Sequence, residues 1–424
     1  MSRIITVALV GAGNRGKNIY AKYTKLFPEK IKIVAVADID PEKVKEVKED
    51  YGIDEEQCFT SAEELLEKDR LADMIFLCTM DRQHYAPAIN ALKKGYHLLL
   101  EKPVSPDPDE CRVIEKLAIK LERHVLVCHV LRYAPIYQEI KKVLATGCLG
   151  RIISIDAKEN IGYYHFAHSF VRGNWRNSSE SSPMILQKCC HDMDLFLWMT
   201  ERHCKSVSSF GSLSHFTRAN APVGSSERCL DCSVKQSCPY DAEQIYIKSA
   251  KAGIGSGVTE WVKMFVQDPD ESKVYDALRN GPYGRCVYRC DNNVADHQVV
   301  NILMEDDITI SFCTSAFTDS MGRQTHIMGT KGDLLANTDS MQIKVTLFGS
   351  DTQVIDVNEM CLDLSGHGGG DRKLIEDVIR VIGNKTDGYS GLTEITKSVE
   401  SHYMAIAAEN SRISNGSVIE IESF

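Results

Sequence analysis

A chain of 424 residues exceeds what one hydrophobic core usually organises, so two domains are expected. Its apolar share of 43% and charged share of 25% exclude a disordered or fibrous polymer. A net charge of -10, with no dense Lys/Arg tract to offset it, excludes nucleic acid and anionic lipid surfaces as expected partners. Residues Met1 to Val7 lack a secretory apolar region, and no later apolar run would span a bilayer, so a cytoplasmic protein is expected. The 15 cysteines are too sparse for a disulfide scaffold, and Cys78, Cys128 and Cys313, in apolar strand-like runs, are expected as buried thiols.

Short aliphatic runs alternate with helical-period segments through the first 130 residues, the pattern of βαβ units feeding a parallel sheet. Strands are predicted at 4–10, 31–37, 74–78, 96–100 and 124–128. Helices are predicted at 41–51 and 61–66, the second opened by a capping-box spacing of Ser61 with Glu64. From about Tyr133 the order changes: one helix at 135–145, then strands at 152–160, 298–304, 308–314, 325–329 and 343–348. Consecutive strands without intervening helices favour an antiparallel or mixed sheet. Two late helices carry Leu374, Ile375, Val378, Ile379 and Ile382 on one face, and Ile395, Val399, Tyr403 and Ile406 on another; both are expected to pack on that second sheet. Residues 212–290 are rich in Cys, Ser, Gly, Pro and charge, with a weak helix near 241–248, and a segment so long and irregular is expected to be functional or stapled.

Gly11-Ala12-Gly13-Asn14-Arg15-Gly16 follows the first strand and opens a helix, where glycines allow a tight turn and free N–H groups favour a pyrophosphate. Asp38 ends the second strand, 22 positions after Gly16, where a carboxylate can accept both ribose hydroxyl protons. Ile39 beside it offers no guanidinium for a 2′-phosphate, so NAD is favoured over NADP.

Glu101-Lys102-Pro103 closes a further strand, after Thr79 and His84 in Cys78-Thr79-Met80-Asp81-Arg82-Gln83-His84, and Cys190-His191-Asp192-Met193-Asp194-Leu195 follows later. With the glycine fingerprint, these residues resemble the glucose-fructose oxidoreductase and inositol dehydrogenase (Gfo/Idh/MocA) family over most of the chain apart from 212–290. The resemblance implies an N-terminal NAD-binding Rossmann domain, 1–130, with a doubly wound parallel sheet. It also implies a C-terminal α/β substrate and oligomerisation domain, 131–424, with a large open, mainly antiparallel sheet, and a homodimer or homotetramer. Thr79, His84, Glu101 and Lys102 then join the loop residues Gly11, Gly13, Asn14, Arg15 and Gly16 and Asp38 around the cofactor. Lys102 matches the family lysine that binds the reacting hydroxyl, and His191 the family histidine, whose partner is normally an Asp one helical turn earlier. Gln187 stands there instead, and it cannot accept a proton. Either His191 works without a carboxylate partner, or Lys188, Asp192 or a tyrosine of Gly162-Tyr163-Tyr164-His165 takes over. Arg132 with Tyr133, Tyr163, Trp175, Arg176, Gln187 and Lys188 are candidate substrate residues; for Arg132, Trp175 and Arg176, as for Asp296-His297 and Arg323, domain packing is an equal alternative.

The expected activity is hydride transfer between NAD and a ring carbon of a sugar, cyclitol or related polyol. The alternatives are a redox-neutral NAD-using glycosidase, whose glycine-rich segment His367-Gly368-Gly369-Gly370-Asp371 resembles, and a non-catalytic NAD-binding sensor. Cys229, Cys232 and Cys238 have the spacing to chelate a structural zinc, with Cys290 or Cys286 as fourth ligand and His215 and Cys204 in reserve.

Overall fold

The aliphatic runs of the first 130 residues carry no polar alternation, which suits strands covered on both faces. In the computed structural model, which describes residues 3–360, 365–383 and 390–421, they pair in parallel. β1 (Ile5–Val10), β2 (Ile31–Ala37), β3 (Cys58–Phe59), β4 (Met74–Leu77), β5 (His97–Leu100) and β6 (Val125–Val127) form one sheet in the order β3-β2-β1-β4-β5-β6. Helices return the chain between strands, and their starts are written locally. Asp40 accepts the Glu42 N–H at 3.1 Å with Pro41 in the first turn, and Ser61 accepts the Glu64 N–H at 3.1 Å. The order reverses between β1 and β4, which fixes where a crevice opens at the carboxyl ends of the strands.

The second sheet has nine strands: β7 (Ile152–Asn160), β8 (Cys204–Ser212), β9 (His297–Met304), β10 (Thr309–Ser315), β11 (Gly322–Gly329), β12 (Gly332–Asn337), β13 (Gln342–Leu347), β14 (Gln353–Asp356) and β15 (Ile419–Glu420). β7 and β10 run parallel and the other neighbours antiparallel, so the sheet is mainly antiparallel, as expected. Its strands alternate. β10 buries Ile310, Phe312 and Thr314 and exposes Thr309, Ser311 and Cys313. Cys313 is therefore not the buried thiol expected of an apolar run, because the period of two turns it to the open face; Cys128 is buried and Cys78 partly so. The inner face packs on the helix Pro135–Ala145 and on Met184–Thr200, a helix buried at every position but Lys188 and Trp198.

The late helices depart from expectation. Leu374, Ile375 and Val378 of the helix Ser365–Gly383 pack with Ile5, Val7 and Leu9, under the parallel sheet and not the antiparallel one. The next helical stretch is shared: Ile395, Val399 and Tyr403 reach the other face of the parallel sheet, while Met404, Ala405 and Ala408 pack with the core beside β8. The hydrophobic periodicity identified the face of the first late helix correctly, but it grouped Ile406 with Ile395, Val399 and Tyr403, whereas Ile406 packs against the core of the second sheet; periodicity carries no information about which sheet a face meets.

Residues 212–290 hold short helical turns and one capped helix, Glu271–Asn280, whose Asp270 side chain accepts the Lys273 N–H at 2.9 Å. Aromatic packing organises them. Phe216, Tyr240, Tyr246, Val274 and Leu278 join the core of the second sheet, and Phe216 stacks on Phe166 at 5.4 Å. Arg172, 1% exposed, donates from this core to the carbonyls of Arg285 (2.8 Å) and Tyr240 (2.7 Å), pinning two parts of the segment together. The expected helix near 241–248 is present as Gln244–Lys248. Among the described residues, no helix is long and apolar enough to cross a membrane.

If the helix Ser365–Gly383 completes the parallel sheet's core, Leu374→Ala removes a fully buried side chain there and costs about 2–5 kcal/mol in urea unfolding. A loss below 1 kcal/mol would show that this packing carries no stability.

Candidate functional site

The glycine loop leaves β1 at Val10, and the Gly11 N–H donates to the Ala37 carbonyl of β2 at 2.9 Å. Gly11 has φ +88°, and a Cβ there would lie 2.6 Å from the Cys78 carbonyl carbon at the end of β4; a Cβ on Gly16 would lie 2.0 Å from Gly11 O. Both positions are closed to any side chain. Gly13 differs, since a Cβ would meet nothing within 4 Å, leaving open space beside the first turn of the helical residues 14–24. At the tip of β2, Asp38 accepts the Ala12 N–H at 2.6 Å and the Asp40 N–H at 2.9 Å, next to the 85% exposed Ile39. The loop and the carboxylate thus meet at the reversal of strand order, and their shape and charge fit a dinucleotide.

Most other residues expected at the cofactor are engaged by partners within the protein. Asn14 is exposed, its amide oxygen accepting from Asn18. The Thr79 hydroxyl donates to the Gln83 carbonyl at 3.4 Å, and the buried His84 ring bonds the carbonyls of Pro103 (2.9 Å) and Thr79 (3.0 Å), joining the ends of β4 and β5. Arg15 turns inward and donates to Glu101 (2.8 Å), Asp371 (2.6 Å) and the Tyr20 hydroxyl (2.5 Å). Glu101 also accepts from Tyr20 (2.7 Å) and from the Lys102 N–H (2.8 Å). Arg15 and Glu101 are therefore a tether between loop, β5 and the helix Ser365–Gly383. Burial opposes ionisation of Asp371, but the Arg15 charge and the hydrogen bonds from His367 and Arg15 together outweigh it and hold the carboxyl well below its usual range.

Lys102 directly follows that tether. Its ammonium donates to the Gln187 carbonyl at 2.5 Å, on the same helix as His191 one turn on. His191 is 6% exposed, with ring centroids of His129 at 5.5 Å and His367 at 6.1 Å. Burial, followed by the Lys102 charge, pushes its imidazole well below the ordinary value, so the ring is neutral. The alternatives weighed for the missing carboxylate are engaged elsewhere. Asp192 is gripped by Arg323 at 2.8 and 3.1 Å, and Glu159 takes both Arg323 (2.9 Å) and Lys188 (3.2 Å). Tyr163 packs its ring on Tyr164 and Tyr240, with centroids 5.5 and 6.1 Å away.

Several candidate substrate residues lie outside this group. Arg132 is 3% exposed and donates to both carboxylate oxygens of Asp194 at 2.7 Å and to the carbonyls of Leu392 and Lys397, so it is an internal strut. Arg176 pairs with Asp291 (2.8 and 2.9 Å) and Glu180 (3.1 Å). The Trp175 indole donates to the buried Asp81 at 3.3 Å, and Asp296 anchors the Ser214 and His215 N–H groups. Composition and motif could not foresee these engagements, because every partner except Glu180 is distant in sequence. His129 and His402, both fully buried near His191, were missed altogether; His129 sits in an apolar strand end where nothing marks it.

The thiols also regroup. Cys229, Cys232, Cys238 and Cys286 line one small cavity with Val234, Val287 and Tyr288, while Cys290 turns to the Cys286 carbonyl. His215 bonds the Tyr288 hydroxyl at 3.1 Å, and Cys204 faces carbonyls of β8 and β9. Among the described residues, no group of three or more His, Cys, Asp or Glu side chains is arranged to hold a metal ion. The expected zinc therefore has no assembled ligand set, and the aromatic core with Arg172 supplies the cohesion attributed to it.

Comparison with known proteins gives the same outline. Residues 5–129 match the model of an oxidoreductase family with an NAD-binding Rossmann fold, and residues 141–415 match that of the C-terminal alpha/beta domain of the same family. The Bacillus subtilis (strain 168) protein YteT is 26% identical over 320 residues, 72% of each chain. Inositol 2-dehydrogenase 4 of Saccharopolyspora erythraea is 30% identical over 229 residues, 53% of this chain and 61% of that protein. Among solved structures, the WlbA dehydrogenase of Chromobacterium violaceum with NADH and UDP-GlcNAcA superposes with TM-score 0.69 at 17% identity, covering 100% and 98% of the two chains. An inositol dehydrogenase homolog from Azotobacter vinelandii with NADH and myo-inositol gives 0.68 at 16%, covering 99% and 98%.

The Arg15 tether has a measurable signature. Asp371→Asn should cost about 3 kcal/mol at pH 7 by breaking an enclosed ion pair. Because the folded Asp371 pKa is depressed, that contribution is complete above about pH 4 and is lost as pH falls toward the folded value. Denaturation curves of variant and wild type should hence converge in acid; a gap independent of pH would remove Asp371 as the cause.

Proposed function

Because the chain belongs to the Gfo/Idh/MocA oxidoreductase family and binds NAD through its Rossmann sheet, we propose that it moves a hydride between NAD and a ring hydroxyl carbon of a sugar, cyclitol or related polyol. The observation that carries this reading is the meeting of Lys102 with the helix that bears His191. NAD, when bound by the backbone of residues 11–16 and by Asp38, supplies the hydride acceptor. Lys102 binds the reacting hydroxyl and stabilises the negative charge that grows on its oxygen as the proton leaves, ahead of hydride departure from the carbon. The neutral His191 imidazole accepts the hydroxyl proton, and the next residue on its helix, Asp192, is held in an ion-pair network with Arg323, Glu159 and Lys188. Support for a polyhydroxylated substrate comes from the relatives named as inositol 2-dehydrogenases. The open face of the nine-stranded sheet suits association into a homodimer or homotetramer, and we place the protein in the cytoplasm.

A second reading, the redox-neutral glycosidase, is favoured by one observation. His367 bonds Asp371 through Nδ1 at 3.0 Å, keeps 41% of its side chain exposed, and stands 6.1 Å from the His191 ring. An imidazole so placed can serve a leaving group as acid.

Purified protein should be screened with NAD at 340 nm against sugars, cyclitols, sugar acids and glycosides, with aglycone release followed in parallel. NADH formation with one class supports the dehydrogenase; aglycone release without net NADH favours the glycosidase, and silence in both channels favours a sensor. Lys102→Met should lower kcat about 100-fold or more with NAD affinity within twofold; unchanged kcat removes Lys102 from the chemistry. Asp38→Ala should weaken NAD binding much more than NADP binding, and equal losses would refute the NAD assignment.

A further inference from the structure

The thiols of the irregular segment take no part in hydride transfer, yet a buried charge faces them. Arg172, 1% exposed, ends the helical residues 167–172 inside the second core. Its Nε donates to the Arg285 carbonyl at 2.8 Å, and its Nη2 donates to the Tyr240 carbonyl at 2.7 Å and to Cys229 Sγ at 3.3 Å. Nη1 is buried without a partner. Among the described residues, no carboxylate lies within ion-pair distance of this guanidinium. An enclosed cation without a counter-charge is costly. Burial works against its charge, and Cys229 is the foremost group that favours it. A sulfur in contact with such a cation gains from becoming a thiolate, the form in which cysteine is a nucleophile.

Cys229 also has thiol neighbours. Cys232, Cys238 and Cys286 line the same cavity, whose volume of about 20 Å³ admits a molecule the size of water. Cys229 and Cys286 are buried, whereas Cys232 and Cys238 are partly exposed. The Cys232 N–H donates to the Cys229 carbonyl at 3.1 Å, which closes a turn between the two. The ends of such a turn hold their Cα atoms within about 7 Å, overlapping the span of about 4.4–6.8 Å that a disulfide bridges. The turn is itself fixed, because the Cys229 N–H donates to the Gly284 carbonyl and the Cys286 N–H to the Glu227 carbonyl, both at 2.9 Å.

We propose that Cys229 and Cys232 are a dithiol that a hydroperoxide converts to a disulfide, Cys232 being the thiol that meets the oxidant and Cys229, against Arg172, the one that resolves it. Cys232 attacks hydrogen peroxide as its thiolate: an S–O bond forms, the O–O bond breaks, and the departing hydroxide takes up the thiol's proton, giving a sulfenic acid and water. Cys229 then attacks the Cys232 sulfur. An S–S bond forms, the S–O bond breaks, and the expelled hydroxide takes up the Cys229 proton as a second water. The two sulfurs lose the electron pair that the peroxide gains. The Cys229 thiol can point its proton at the Arg285 carbonyl, 3.8 Å from Sγ, and once that proton leaves, Arg172 Nη2 faces the thiolate.

The sequence makes the assay direct: tryptic cleavage after Arg228 and Lys235 releases both thiols in one peptide, residues 229–235, with no other cysteine. The purified protein, freed of reductant, is treated with hydrogen peroxide, its remaining thiols are blocked with N-ethylmaleimide, and that peptide is followed by mass spectrometry. It should appear unblocked and lighter by two hydrogens, at least about tenfold faster than the exposed Cys313 is oxidised. Cys229→Ser should stop at the Cys232 sulfenic acid, trapped by dimedone. Arg172→Gln removes the charge but keeps an amide donor, and it should slow disulfide closure about tenfold while the trapped sulfenic acid increases. If Arg172→Gln does not fold, the wild-type rates and Cys229→Ser carry the test. A peptide that stays reduced while Cys313 is oxidised overturns the proposal, as does a bridge from Cys232 to Cys238 or Cys286 in its place. Near-stoichiometric zinc in the untreated protein also overturns it, because metal-bound thiolates would then be what Arg172 faces. No substrate turnover is read, so the result is independent of the hydride-transfer reading.

Discussion

Arg15 is held by two carboxylates from distant parts of the chain, Glu101 at the end of β5 and Asp371 in the helix Ser365–Gly383. Much of the site depends on that arrangement. Arg15 belongs to the glycine loop, Glu101 precedes Lys102 and fixes its backbone N–H, and Asp371 shares its carboxylate with His367. A single guanidinium thereby ties the glycine loop, the strand end that carries Lys102 and the His367 imidazole together. An enclosed charge with its partners removed is strongly penalised, so the three segments hold one another in register. Tyr20 completes the set, bridging Arg15 and Glu101 through its hydroxyl.

The helix Met184–Thr200 plays a complementary part. Nearly every side chain on it is buried, so its orientation is over-determined by packing, and the Gln187 carbonyl and the His191 ring are presented one turn apart without loop freedom. Lys102 reaches that helix through a main-chain carbonyl, an interaction that the identity of residue 187 does not change. This explains how Gln can stand at 187 while the lysine keeps its place: the side chain there is not what positions Lys102.

The sequence disclosed what is local. Glycine spacing, the acidic residue after β2 and the cap at Ser61 all depend on residues a few positions apart, and the structure places each as the pattern implied. Partnerships across the chain left no such trace. Arg132 and Arg323 are both arginines near the candidate site, yet one is a strut for Asp194 and the other a clamp on Asp192, and no local feature tells them apart. Cys286 joins the other thiols in preference to Cys290 because the turn that carries them orients only one of the pair inward. His129 is concealed for the same reason: its neighbours Ser401 and His402 lie 272 and 273 positions downstream.

The packing of Leu374, Ile375 and Val378 beneath β1 makes the nucleotide-binding core discontinuous along the chain. Its sheet is synthesised first, but the helix that covers one face, and the Asp371 that engages Arg15, arrive only after the whole nine-stranded sheet except β15 has left the ribosome. The first 130 residues must therefore wait, part-covered, through most of translation, and the final closure joins segments separated by more than 300 residues, a loop closure that slows folding and exposes apolar surface meanwhile. Cofactor affinity is consequently a property that the nascent chain acquires late, near the end of its synthesis, and a fragment ending after β6 would lack the floor on which its own glycine loop is braced.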